Sequence, residues 1–238
     1  MELSQKKITS RDNCYLNEDP SVVKDSFVVV ADEIDDGFSG TIADVGCAAG
    51  AFPAYLSQRF CSANVFGVEY LESLRLKAEK DFPKLHFMHG DVTDKSSVNK
   101  KFDVITMLGV LCIFDDYAQV LTNVISWLNP KGKLILHNLI SEYDIDVIVK
   151  HAPSSHQYSV DNLESGFNII SEKSLGLVCR ENSANLVKVK PFRISVDIEQ
   201  NIEDIIRSWT ELDTHQIRQI YNALHIRQPQ KIAVIEKC

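Results

Sequence analysis

The chain has 238 residues, 45% hydrophobic and 24% charged, with a formal net charge of −8 from 25 basic and 33 acidic side chains. That is the composition of an ordinary globular protein, with apolar material for one large domain, and it argues against a low-complexity chain. The acidic balance argues against a nucleic-acid partner, because neutralisation of phosphates by Lys and Arg dominates that kind of binding.

The first residues are polar and hold no apolar core of a signal peptide. The longest apolar run, 104–114, contains Thr106 and Gly109 and is too short to span a bilayer. No membrane association is expected. Six cysteines (Cys14, Cys47, Cys61, Cys112, Cys179 and Cys238) are scattered without C-x-x-C pairing. This suits reduced thiols in a cytoplasmic protein better than a disulfide framework or a metal site.

Residues 1–20 read as a polar arm. Asp19-Pro20-Ser21 resembles a helix start, and 22–34 carries an apolar face, so a cap helix is expected before Asp35-Asp36-Gly37 ends it. Residues 41–45 (TIADV) read as a buried strand. It breaks into Gly46, Cys47, Ala48, Ala49 and Gly50, all small, and an apolar helix follows over 51–60. Small residues let backbone approach a ligand, and the helix start presents free N–H groups. Asp44 stands just before this turn, and an acid in a buried strand needs a partner.

Three ligand classes use such a turn. A phosphate loop would need a Gly-Lys-Ser/Thr ending, and no lysine follows. A dinucleotide site wants G-x-G-x-x-G, where this chain has Ala48 and Ala51 at the second and third glycine positions. An acid followed by G-x-G-x-G marks an S-adenosylmethionine turn, and Asp44, Gly46, Ala48 and Gly50 match it with one glycine replaced by alanine. An ordinary strand-to-helix turn explains the stretch about as well, so the downstream residues have to decide.

A second strand is expected over 64–70 and ends on Glu69, where a carboxylate can accept two hydrogen bonds from a ribose diol. A helix follows over 71–82. A third strand, 84–88, leads to His89-Gly90-Asp91-Val92, and Asp91 is placed to take an exocyclic amine. The fourth strand, 104–107, runs into Leu108 and Gly109 at the crevice where open parallel sheets bind ligands. Asp115-Asp116 caps an amphipathic helix. Asn129-Pro130-Lys131-Gly132 is a turn, and a fifth strand, 133–137, ends on His137.

Strand and helix thus alternate five times, which means a doubly wound parallel sheet. Together DVGCAAG at 44–50, VFGVEY at 65–70, HGDV at 89–92, FDVITMLGVLCIFDD at 102–116 and LNPKGKLIL at 128–136 resemble a class I S-adenosylmethionine-dependent methyltransferase of the small single-domain type. The resemblance covers roughly 41–138. It implies a Rossmann-like α/β fold with a mostly parallel, seven-stranded sheet whose last strand is antiparallel. It also implies S-adenosyl-L-methionine as cofactor and S-adenosyl-L-homocysteine as product. Asp44 with Gly46, Cys47, Ala48 and Gly50 would hold the methionine part, and Glu69 the ribose. Asp91 with Val92 would hold the adenine, with Tyr70 stacked beside it. Leu108 and Gly109 would line the floor near the methyl group. His137, at the tip of the fifth strand, is the candidate general base, against the alternative of a structural histidine.

The expected division is an arm and cap helix over 1–40, a cofactor-binding core over 41–180, an insertion over 181–229 and a final core strand over 230–238. The C-terminal part reads as a helix over 141–152, a sixth strand near 166–170, an added strand over 186–195, two amphipathic helices over 202–212 and 214–224, and a closing strand over 231–236. The two helices would form a lid over the substrate, or simply pack on the sheet. The expected acceptor is a small molecule; RNA or protein as acceptor, an inactive cofactor-binding scaffold and a nicotinamide oxidoreductase are the alternatives. Ala48 at a glycine position is the feature that supports the scaffold.

Overall fold

The computed structural model describes residues 14–154, 157 and 159–238. Residues 1–13 of the expected arm lie outside these, as do 155, 156 and 158 of the loop after the expected 141–152 helix. In chain order the first half contains α1 (Asp25–Ala31), β1 (Thr41–Val45), α2 (Ala51–Arg59), β2 (Asn64–Glu69), α3 (Glu72–Asp81), β3 (His86–His89), β4 (Phe102–Leu108), α4 (Tyr117–Ser126) and β5 (Leu128–Ser141). The second half contains β6 (Lys150–His151), β7 (Glu164–Ser165), β8 (Ile170–Ser171), α5 (Glu172–Glu181), β9 (Ala184–Pro191), β10 (Trp209–Leu212), β11 (Arg218–Tyr221) and β12 (Gln230–Lys237).

The central sheet runs in the order β3-β2-β1-β4-β5-β12-β9. Strands β1 to β5 pair in parallel. Strand β12 is antiparallel to both its neighbours. The seven-stranded, mostly parallel sheet is therefore present, and two-residue β8 adds a parallel pair at the end of β5.

Helices cover both faces because their apolar stripes require it. Asp116 caps α4 by accepting the Gln119 N–H at 3.0 Å, and the helix buries Val120, Leu121, Val124 and Ile125. Ser171 caps α5, which buries Leu175, Val178 and Cys179 in the same core. On the opposite face Phe27 and Val30 of α1 meet Phe52 and Leu56 of α2. Among the described residues no helix is long and apolar enough to cross a membrane.

The Asn129–Gly132 turn falls inside β5, where the register with β4 shifts and Lys131 takes a left-handed φ of +62°. Three expectations for the C-terminal part are corrected. Residues 141–152 form no helix. Asp146 instead accepts the Ser171 N–H and the Tyr117 and Ser174 hydroxyls, which holds this segment open, and Val147 bridges to Ile169. The stretch expected as an added strand, 186–195, lies largely in β9, the edge strand of the sheet itself; the residues expected as the sixth strand supply only β8. The two expected helices at 202–224 are the antiparallel hairpin β10–β11, with Trp209 paired to Tyr221. Asp213 takes the N–H groups of His215 and Ile217 at 2.8 and 2.9 Å, and Gln216 turns at φ +60°. A turn built by an aspartate side chain competes directly with helix continuation.

Candidate active site

The sheet order reverses at β1, whose two neighbours are β2 and β4. Connections leave such a sheet on opposite sides there and open a crevice at the carboxyl ends of the strands. A cleft of about 380 Å³ occupies this place, lined by Asp44, Gly46, Cys47, Ala48, Glu69, Tyr70, Asp91, Val92, Leu108, Gly109 and His137. Gly50 lies outside that lining. It is the residue before α2, at φ +86°, and a Cβ there would meet Phe87 Cζ at 2.8 Å.

The strand ends carry the acids. Asp44 is 3% exposed and faces Thr106 across the β1–β4 ladder, whose hydroxyl donates to Asp44 Oδ1 at 2.8 Å. Burial raises the Asp44 carboxyl to about 8; the Thr106 hydrogen bond opposes the shift and nearby Glu69 reinforces it. Glu69, 7% exposed, accepts the Ala48 N–H at 2.9 Å through Oε2 and the Leu71 N–H at 2.8 Å through Oε1. It thereby clamps the glycine turn to the tip of β2. Asp91 Oδ1 accepts the N–H and hydroxyl of Thr93 at 2.8 and 2.7 Å, and the Val92 carbonyl is held by Asn123 at 2.8 Å. Tyr70 is 47% exposed and tilts against His89 at 5.7 Å. Burial first, then Asp44 and Glu69, pushes the Cys47 thiol well above its ordinary range.

Gly46 sits at φ +74°, and a Cβ would come within 2.4 Å of Val110 Cγ2. Ala48, at the second glycine position of the turn, also takes a left-handed φ of +48°. A methyl group is strained in that conformation, whereas glycine is not. Ala48→Gly is therefore expected to stabilise the protein by about 0.5–1 kcal/mol, the relief of strain outweighing the greater freedom of glycine in the unfolded chain. Urea denaturation checks this; a loss of stability would show that the turn does not need a left-handed residue here.

His137 pairs with Leu108 across β4–β5, and its carbonyl accepts the Gly109 N–H at 2.8 Å. The residue is half-buried, but its Nε2 is buried without a hydrogen-bond partner. Phe192 meets the ring edge-on at 4.5 Å. Burial lowers the imidazole to about 4, against a hydrogen bond to the Gln230 side chain. At neutral pH the ring is uncharged.

The sequence did not point to the cover of the cleft. Tyr15, Glu18, Lys24 and Phe27 line it from the N-terminal side, with Phe52, Ile113 and Phe114. The only signal was the apolar face of the cap helix, which reads equally well as packing. No described residue of 181–229 lines the cleft. That segment instead braces the cover: Asp25 accepts the Ser195 N–H and hydroxyl at 2.6 Å, and Arg207 lies 3.8 Å from Glu18.

A glycine turn and acid-tipped strands on a sheet of this order define a Rossmann-like fold of the methyltransferase type. The chain belongs to the class I S-adenosylmethionine-dependent methyltransferases: a methyltransferase-domain family matches residues 26–189. Trans-aconitate 2-methyltransferase of Deinococcus radiodurans is 28% identical over 117 residues, 49% of this chain and 41% of that protein. The Escherichia coli K12 enzyme of the same name is 28% identical over 93 residues, 39% of this chain and 36% of that protein. The matches thus span well under half the length of these relatives. Among solved structures, a chain from the complex of the Haloferax volcanii Trm112 methyltransferase activator with a methyltransferase superposes with a TM-score of 0.60 at 13% identity, covering 95% of this chain and 93% of that one. The mitomycin 7-O-methyltransferase MmcR gives 0.56 at 12% identity, covering 90% and 53%. The [4+2]-cyclase SpnF gives 0.53 at 14%, covering 73% and 64%, so the shared fold does not by itself dictate methyl transfer.

Proposed function

We propose that this protein binds S-adenosylmethionine in the cleft and transfers its methyl group to a small-molecule acceptor. The observation that carries the reading is the trio Asp44, Glu69 and Asp91 at consecutive strand ends around a turn whose Gly46 leaves no room for a side chain. The residues fit the cofactor. Glu69, already oriented by two N–H groups, suits a ribose diol. Asp91 Oδ2 and the backbone around Val92 suit an adenine edge beside Tyr70. Asp44, Gly46, Cys47 and Ala48 suit the methionine part, and Leu108 and Gly109 form the floor.

Bound S-adenosylmethionine supplies a methyl group already activated on a sulfonium, so the chain need provide no nucleophile. The contribution of the chain is to orient the acceptor and exclude water. His137 lies within β5, which runs on to Ser141, and not at its tip as expected. It pairs with Leu108 at the end of β4, and its uncharged imidazole suits an acceptor that keeps its proton until attack, because the ring can then take it. Trans-aconitate is the substrate named for the curated relatives; it does not transfer to this chain on a match of this length. A cytoplasmic location belongs to the same reading, since all six cysteines are free, as thiols in a reducing compartment are. Calorimetric titration with S-adenosylmethionine and S-adenosylhomocysteine tests the proposal. Micromolar binding is expected. No binding by folded protein would leave the scaffold reading in its place.

Asp44 links this binding to pH. An acid whose folded pKa lies above its unfolded value stabilises the fold fully below the unfolded value and loses that contribution as pH rises through the folded one. With a folded value of about 8, the ligand-free protein should lose stability between about pH 4 and pH 8. A cationic ligand favours the ionised form. Binding at pH 7 is therefore expected to release nearly one proton, and affinity should climb with pH until about 8. Titration in buffers of different ionisation enthalpy measures the proton count. Asp44→Asn should abolish the release; an unchanged release would assign the proton to another group.

A further inference from the structure

We infer that the β4–β5 end of the cleft takes an uncharged, largely apolar small molecule that donates a hydroxyl or amine proton to His137 Nε2, and that it turns away polycarboxylates. This deepens the methyltransferase reading and rests on it.

Charge decides the first part. The acids Asp44, Glu69 and Asp91 stand at the β1–β3 end. Besides them, the charged side chains among the described residues lining the cleft are Glu18 and Lys24. Lys24 Nζ lies 2.8 Å from Glu18 Oε1 and 5.7 Å from the ring centroids of both Tyr15 and Phe27. The pair cancels, and its cation is already engaged by its own acid and two rings. With His137 uncharged, the described lining residues at this end are electrically balanced, and Arg207, outside the lining, is directed at the same Glu18 at 3.8 Å. A polycarboxylate would give up its hydration there without an unpaired cation among the described lining residues to replace it, which is costly. The surrounding walls are apolar: Phe27 stacks on Phe52 at 4.7 Å, and Val110, Ile113 and Phe114 complete the lining.

Hydrogen bonding decides the second part. Among the described cleft-lining residues, His137 Nε2 is the one buried side-chain nitrogen or oxygen without a partner. With Nε2 unpartnered, we assign the ring's contact with the Gln230 side chain to Nδ1. Gln230 Nε2 donates to Gln228 Oε1 at 3.4 Å, which leaves the Gln230 carbonyl oxygen to accept the Nδ1 proton. That assignment leaves the lone pair on Nε2. A buried acceptor without a donor is a deficit that the right ligand repairs, and a ligand lacking that donor is rejected far more strongly than one of slightly wrong size.

The test is a calorimetric titration of protein saturated with S-adenosylhomocysteine, using 4-ethylphenol, its methyl ether 4-ethylanisole, and tricarballylate. The phenol is expected to bind at least ten-fold more tightly than the ether, with no heat of binding from tricarballylate. His137→Leu should reduce the phenol to the level of the ether and leave S-adenosylhomocysteine affinity unchanged, which also reports that the variant is folded. Should that variant fail to fold, the comparison of the three probes on the unaltered protein still decides. Equal binding of phenol and ether, tighter binding of tricarballylate, or no binding of the phenol would overturn the inference. Failure of S-adenosylhomocysteine itself to bind would overturn the methyltransferase reading, and the inference with it.

Discussion

Glu69→Ala is expected to weaken S-adenosylhomocysteine binding by about 100- to 1,000-fold. Hydrogen bonds to a charged group contribute about 1.5–3 kcal/mol each, and two such bonds to a ribose diol at the lower end of that range, about 3–4 kcal/mol together, correspond to a loss of that size. The carboxylate has a second role, since its oxygens hold the Ala48 and Leu71 N–H groups at 2.9 and 2.8 Å. Removing it frees the turn as well as the ribose site, so the loss should exceed that of Glu69→Gln, which keeps one acceptor oxygen. The two N–H groups released line the cleft, where water can reach them, so the fold should survive with a melting temperature lower by a few degrees. Calorimetry on both variants, with circular dichroism as the check on folding, makes the measurement. A loss of ten-fold or less in a folded Glu69→Ala protein would remove Glu69 from the cofactor site.

The second large effect is expected at Gly46. Gly46→Ala should destabilise the protein by about 2–5 kcal/mol, from two sources. A left-handed alanine costs about 1–2 kcal/mol. The remainder is steric: the new methyl group would lie 2.4 Å from Val110 Cγ2, and valine has little rotamer freedom with which to move aside. The two sources separate in a double variant. Val110→Ala removes the colliding methyl, so Gly46→Ala in that background should cost only the backbone part. Urea denaturation of the four proteins gives the coupling. Absence of rescue by Val110→Ala would mean that the turn does not pack against the segment after β4 as described.

These two residues also mark how far the amino-acid pattern carries. The three acids and the glycine turn were legible because each lies at the end of a short strand, and for Asp44 and Glu69 that strand is a buried apolar run. Parallel topology then brings all those ends to one edge. Strands β1, β2 and β4 are buried hydrophobic runs and helix α4 has a clean apolar face, so local pattern and global fold agree there. The hairpin β10–β11 was misread because 202–224 carries isoleucine, tryptophan and tyrosine at spacings that suit either a helix or a twisted ribbon. The Asp213 side chain and the left-handed Gln216 settle the matter locally. Residues 141–152 were misread for a similar reason, since the donors that hold Asp146 in place lie about 25 to 30 residues away in sequence.

The sequence by itself determined the sheet class and the placing of Asp44, Glu69 and Asp91 along one end of the cleft, because periodicity and strand-end position are local properties of the chain. Tertiary structure alone decided the other end of the cleft. The Glu18–Lys24 pair faces the cleft only once α1 has packed on α2 through Phe27 and Phe52. His137 becomes an uncharged, singly partnered imidazole only when β12 and Phe192 close over it. Ala48, at φ +48°, has its N–H held by Glu69, 21 residues later. Charge balance, desolvation and backbone strain depend on what lies nearby in space, and no spacing along the chain encodes them.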